Sequence, residues 1–163
     1  MKRYVVFIIF VVLAIFFQST FLYDKIIVRS AAPDFVLIII CIAAFLSGPI
    51  PGQILGFVTG FVVDILSGGL LGLYAFTYTL MGYGVGIVGQ RVLGKNVLIT
   101  ITLLFFVTLT KAAILGMFAA LFLTPGYFGY FASGMVFLEA VMNGLIAPLL
   151  FVIINRIQIR VAE

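Results

Sequence analysis

Long apolar runs alternate with brief punctuation along the whole chain, and the punctuation divides it into six segments, 4–22, 33–48, 51–67, 70–90, 97–123 and 131–154. Each approaches the roughly 17–25 residues that a helix needs to cross a hydrocarbon layer of about 30 Å. The pattern therefore predicts an all-α, polytopic protein, a compact bundle of about six transmembrane helices forming a single integral membrane domain over 1–163. Segments two and three are short and are separated by Gly48-Pro49-Ile50-Pro51. Two prolines block continuation of the first helix, and Pro51 suits the start of the next. The expectation is a tight antiparallel hairpin that need not reach fully across the bilayer. The fifth segment is long enough to require tilt.

Within the third segment Gly52, Gly56, Gly60 and Asp64 follow one another at intervals of four. Residues four apart share one helix face, so this face lacks side chains for about three turns and then presents a carboxylate. Small residues at that spacing let another backbone approach, which makes the stripe a helix-packing or partner-binding face. Gly82 and Gly86 on the fourth segment, with Gly84 and Gly89 nearby, and Ala112, Gly116 and Ala120 on the fifth, are expected to serve other close interfaces.

Composition supports the membrane reading: 65% of the 163 residues are hydrophobic and 9% are charged, against about 25% charged in ordinary soluble domains. Nine Lys and Arg against five Asp and Glu give a net charge of +4. No basic cluster is dense enough for nucleic acid, and the cations read as topology signals. With the N-terminus inside, Lys2, Arg3, Arg91, Lys95, Arg156 and Arg160 face the cytoplasm, and Lys25 and Arg29 lie outside. This bias predicts cytoplasmic termini. Met1-Lys2-Arg3 before an apolar run resembles a signal peptide, but the run continues through Gln18-Ser19-Thr20 to Leu22 without a nearby small-residue cleavage site, so it reads as an uncleaved first span.

In this topology Asp34 lies at the outer face, Asp64 near the outer end of span three and Glu139 within the outer half of span six. Lys111 lies near mid-membrane, where an unpaired charge costs about 2.5–3.5 kcal/mol on translocon scales. Glu139 is the expected partner and Asp64 the second choice, with snorkelling into a wet cleft as the alternative. Asn143 follows Glu139 by one turn. Asp64, Lys111, Glu139 and Asn143 thus form the expected intramembrane polar network.

Candidate chemistry is sparse. With no His and only Cys41, the chain has no His-based zinc site and no Cys/His or Ser/His catalytic arrangement. Asp34, Asp64 and Glu139 lack a metal-binding motif, and hard cations ask for more oxygen ligands. Gly82-Tyr83-Gly84-Val85-Gly86 has no following Lys-Ser/Thr and sits in an apolar span, which argues against a phosphate loop. Neither an enzyme nor a cofactor is expected.

The order of landmarks resembles the MreD family of the bacterial rod-shape system. Pro33-Asp34 opens a span; Gly-Gln-Ile-Leu-Gly-Phe-Val-Thr-Gly-Phe-Val-Val-Asp follows from Gly52 to Asp64; then come Gly72, Tyr83-Gly84, Asn143-Gly144-Leu-Ile-Ala-Pro148 and the basic ending Asn155-Arg156-Ile-Gln-Ile-Arg160. The resemblance implies a noncatalytic scaffold of the elongation machinery in the bacterial cytoplasmic membrane. It also implies a bitopic MreC-like partner, and a larger complex with actin-like MreB, a RodA-type glycosyltransferase and a class B penicillin-binding protein. The family is similar in fold to the substrate-binding subunits of energy-coupling-factor vitamin transporters, which supplies the alternative function. Those subunits dock their coupling partner through small residues spaced by four on the first span. Here that span offers only Ala14.

Overall fold

The computed structural model describes residues 2–20, 31–91, 97–121 and 133–162. Six helices occupy them: α1 (Lys2–Gln18), α2 (Phe35–Ser47), α3 (Pro49–Ser67), α4 (Leu73–Arg91), α5 (Val97–Leu121) and α6 (Met135–Ala162). Among the described residues, three segments are long and apolar enough to cross a membrane: Pro49–Ser67, Leu98–Phe118 and Met135–Arg160. The expected span ends at 21–22, 122–123 and 131–132 lie outside the described residues. At the other end of the chain, α6 continues to Ala162 rather than stopping near 154. Hydropathy marks where the apolar solvent ends, but backbone hydrogen bonding carries a helix on into water.

The core is built around α2. Its 13 residues include an unbroken buried run from Val36 to Ala44, and it packs against α1, α3, α4 and α6. A helix apolar on every side is stable only when surrounded. At 1.5 Å per residue α2 is about 20 Å long, well short of a hydrocarbon layer. The turn after it is made by Gly48, whose φ of 96° is left-handed territory and whose N–H donates to Ala44 O at 2.8 Å. Helix α3 begins at Pro49, two residues before the expected start. Both prolines fit its first turn, where backbone N–H groups have no intrahelical acceptor to lose.

The most extensive helix pair is α3 with α4, and the glycine stripe explains it. A Cβ at Gly56 would strike the carbonyl of Tyr78, one at Gly60 would strike Tyr74 and Ala75, and Gly52 and Gly82 would each strike the other's backbone. Every step of four along α3 is thus met by a step of four back along α4, an antiparallel register carried to Gly86 against Pro49. Direct backbone contact needs side chains absent from both surfaces. Gly89 packs similarly on Phe45 of α2. Gly116 differs, since a Cβ there meets nothing within 4 Å. Its expected packing role is not used within the described chain, and Gly84, exposed and equally open, is likewise unused.

Candidate functional site

Asp34 is the hub of a buried polar cluster. Coming just before the apolar run of α2, it is the N-cap, and its Oδ1 accepts from the Leu37 N–H at 3.0 Å. This local bond satisfies one of the donors every helix start leaves over. The other oxygen, Oδ2, accepts from Tyr78 Oη on α4 and Lys111 Nζ on α5, both at 2.9 Å. Gln18, at the end of α1, donates more weakly to Oδ1 at 3.5 Å.

Lys111 also donates to Glu139 Oε1 at 2.5 Å. One ammonium therefore bridges two carboxylates. Asn143, one turn beyond Glu139 on α6, accepts from the Asp34 backbone N–H at 2.8 Å and donates to Thr108 Oγ1 at 3.0 Å. Thr108 donates its own O–H to Leu104 O at 2.8 Å. Facing pairs, Thr108 with Lys111 and Glu139 with Asn143, thus interlock α5 and α6 and clamp both to the start of α2. The exposures decide the physical regime: Asp34 8%, Lys111 7%, Glu139 4% and Asn143 0%. Charges so far from water persist only when each is paired and hydrogen-bonded.

Asp64 has a different task. Its Oδ2 accepts from the N–H groups of Gly72 and Ala75, both at 3.0 Å, and Oδ1 from that of Tyr74 at 2.9 Å. These donors lie at the N-terminus of α4, where a negative charge also meets the positive end of the helix dipole. The glycine face of α3 therefore ends in a carboxylate that caps the helix it packs against. This placement corrects the expectation of Asp64 as a member of the Lys111 network, while Asp34, expected only as an outer polar residue, is that network's centre.

The arrangement holds helices together rather than presenting chemistry outward. Among the described residues no group of three or more His, Cys, Asp or Glu is placed to hold a metal ion. Cys41 is buried in the core of α2. A groove of about 470 Å³ runs between α1 and α3 with α2 as its floor, lined by Tyr4, Phe7, Ile8, Ala43, Ser47, Ile54 and Val58 among others. None of the cluster's ionic groups lines it.

Sequence reasoning missed Tyr78, Thr108 and Gln18. Thr108 carried a usable signal, because it sits one turn before Lys111 on the same face. Tyr78 and Gln18 carried none, since only the packing of α4 and α1 around α2 brings them to Asp34.

Six described helices with many exposed apolar side chains and a buried ionic cluster of Asp34, Lys111 and Glu139 mark a helical protein of the membrane class. The family model described as rod shape-determining protein MreD matches residues 1–157, and the chain belongs to that family. No match was found among curated proteins or among solved structures.

Proposed function

We propose that this protein is a noncatalytic scaffold of the cell-elongation machinery in the bacterial cytoplasmic membrane. It crosses the bilayer as one six-span domain with both termini in the cytoplasm. It binds an MreC-like bitopic partner and helps organise lateral peptidoglycan synthesis, within a larger assembly containing MreB, a RodA-type glycosyltransferase and a class B penicillin-binding protein. The observation that carries the reading is the family match over 1–157. The bundle supports it: Asp34, Lys111 and Glu139 bond to one another, and the glycines of the stripe on α3 are packed against α4 within the chain. A partner helix is then received on the outer surface, where the apolar groove between α1 and α3 is concave. The transporter-subunit alternative needs several polar groups around a cavity for a hydrophilic ligand, whereas the groove's lining is predominantly apolar, with Tyr4 and Ser47 its polar-bearing side chains, and the ionic cluster is satisfied internally.

Affinity isolation of the tagged full-length protein from native membranes, followed by identification of bound proteins, tests this. Recovery of an MreC-like protein is expected. Recovery of an energy-coupling ATPase module in its place would refute the scaffold reading.

A further inference from the structure

One face of α6 changes character at a defined depth. Phe137, Val141, Leu145, Leu149 and Val152 are exposed at 54%, 46%, 66%, 65% and 47%, spaced by four, four, four and three residues, so they form one stripe along the outside of the bundle. Arg156 and Arg160 continue that stripe at the same spacing and are exposed. From Phe137 to Arg156 the helix rises about 28 Å, close to the roughly 30 Å of a hydrocarbon layer. The face that meets acyl chains thus turns to guanidinium where lipid phosphates lie. Ile154 and Gln158, between and behind the arginines, are buried, which keeps the cationic face directed away from the bundle.

Neither arginine has an ion pair among the described residues, and the described carboxylates are committed elsewhere: Asp34 and Glu139 to Lys111, Asp64 to the start of α4. Their charge is therefore available to an external anion. A guanidinium presents a planar fork of donors that matches phosphate oxygens, and two forks one turn apart span neighbouring headgroups.

We propose that Arg156 and Arg160 form a binding site for the headgroups of anionic phospholipids, which fixes the depth of α6 in the bilayer. The site selects negative lipid over zwitterionic lipid by charge and bidentate hydrogen bonding, and it is independent of the partner reading above.

The test uses the full-length protein in nanodiscs of equal parts phosphatidylcholine and phosphatidylglycerol, with the lipids retained on the released protein counted by native mass spectrometry. The wild type is expected to be enriched in phosphatidylglycerol. Arg156→Gln with Arg160→Gln should lower that enrichment by about fivefold per arginine, the factor equivalent to about 1 kcal/mol for each basic residue at an anionic surface. Arg156→Lys with Arg160→Lys should retain a large part of it. Thermal unfolding in phosphatidylcholine alone should be unchanged by the glutamine pair, which separates lipid binding from folding. Equal enrichment in wild type and glutamine variant, or none in either, overturns the proposal. So does unchanged lipid enrichment with loss of a soluble acidic protein on isolation from cells, which would assign the arginines to a protein surface.

Discussion

Lys111 on α5 reaches Asp34 at the cap of α2 across 77 residues of sequence, at 2.9 Å, with the same nitrogen that binds Glu139. Three helices are therefore fixed by one ammonium, and the consequences of removing it are unequal. Lys111→Met strips the counter-charge from two buried carboxylates, whereas Glu139→Gln leaves the lysine still paired with Asp34. The lysine variant should be the more damaging, at about 3–5 kcal/mol for a broken buried pair and nearer the lower end in a membrane protein. Lys111→Met with Glu139→Gln should recover part of the loss, and adding Asp34→Asn, which keeps a helix-capping residue, should recover more. Thermal unfolding in detergent and in nanodiscs reads the series. Simple addition of the single losses would show that these residues act independently.

The α3–α4 register and the open space beside Gly116 on α5 make opposite predictions for two glycines. Gly56→Ala places a methyl on the Tyr78 carbonyl and forces the helices apart, which should destabilise by about 1–3 kcal/mol as overpacked cores do. Gly116→Ala enters open space and should stabilise by up to about 1 kcal/mol through helix propensity. Melting temperatures of the two purified variants should move in opposite directions. No loss at Gly56 contradicts the register, and a loss at Gly116 contradicts the open space beside it.

Asp64 accepts three backbone N–H groups, so Asp64→Ala orphans all of them at the start of α4. Each unsatisfied buried donor costs about 1–3 kcal/mol. Asp64→Asn keeps one accepting oxygen and should fall between alanine and wild type. Hydrogen exchange is the direct measurement: the amides of Gly72, Tyr74 and Ala75 should exchange faster in the alanine variant while those of α5 are unchanged. Uniform acceleration across the bundle would point to global loosening rather than a lost cap.

Six cations on the proposed inner side against two on the outer side set the topology prediction. Reporter fusions at Met1, at the Arg91 to Lys95 connection and at Glu163 should all report the cytoplasm. An outside signal from any of the three would overturn this topology and with it the convergence of the acids in the outer half.

Sequence alone determined the helical elements and the turn at 48–51, because both depend on near neighbours. Apolar runs of the right length become helices in a solvent that cannot hydrogen-bond backbone, and glycine with proline at 48–51 stops one helix and starts another. The spacing of Gly52, Gly56 and Gly60 also fixed a face, since 3.6 residues per turn is a property of the local backbone. What that face meets, how deeply α2 is enclosed, and which anion each polar group finds were decided only by the rotation and register of whole helices. Lys111 illustrates the division: its cost announced that a partner was needed, and Glu139 lay within its reach. The second partner, Asp34, depended on α2 being drawn into the centre, and Asp64 was withdrawn because the α3–α4 turn placed three backbone donors closer to it than any lysine.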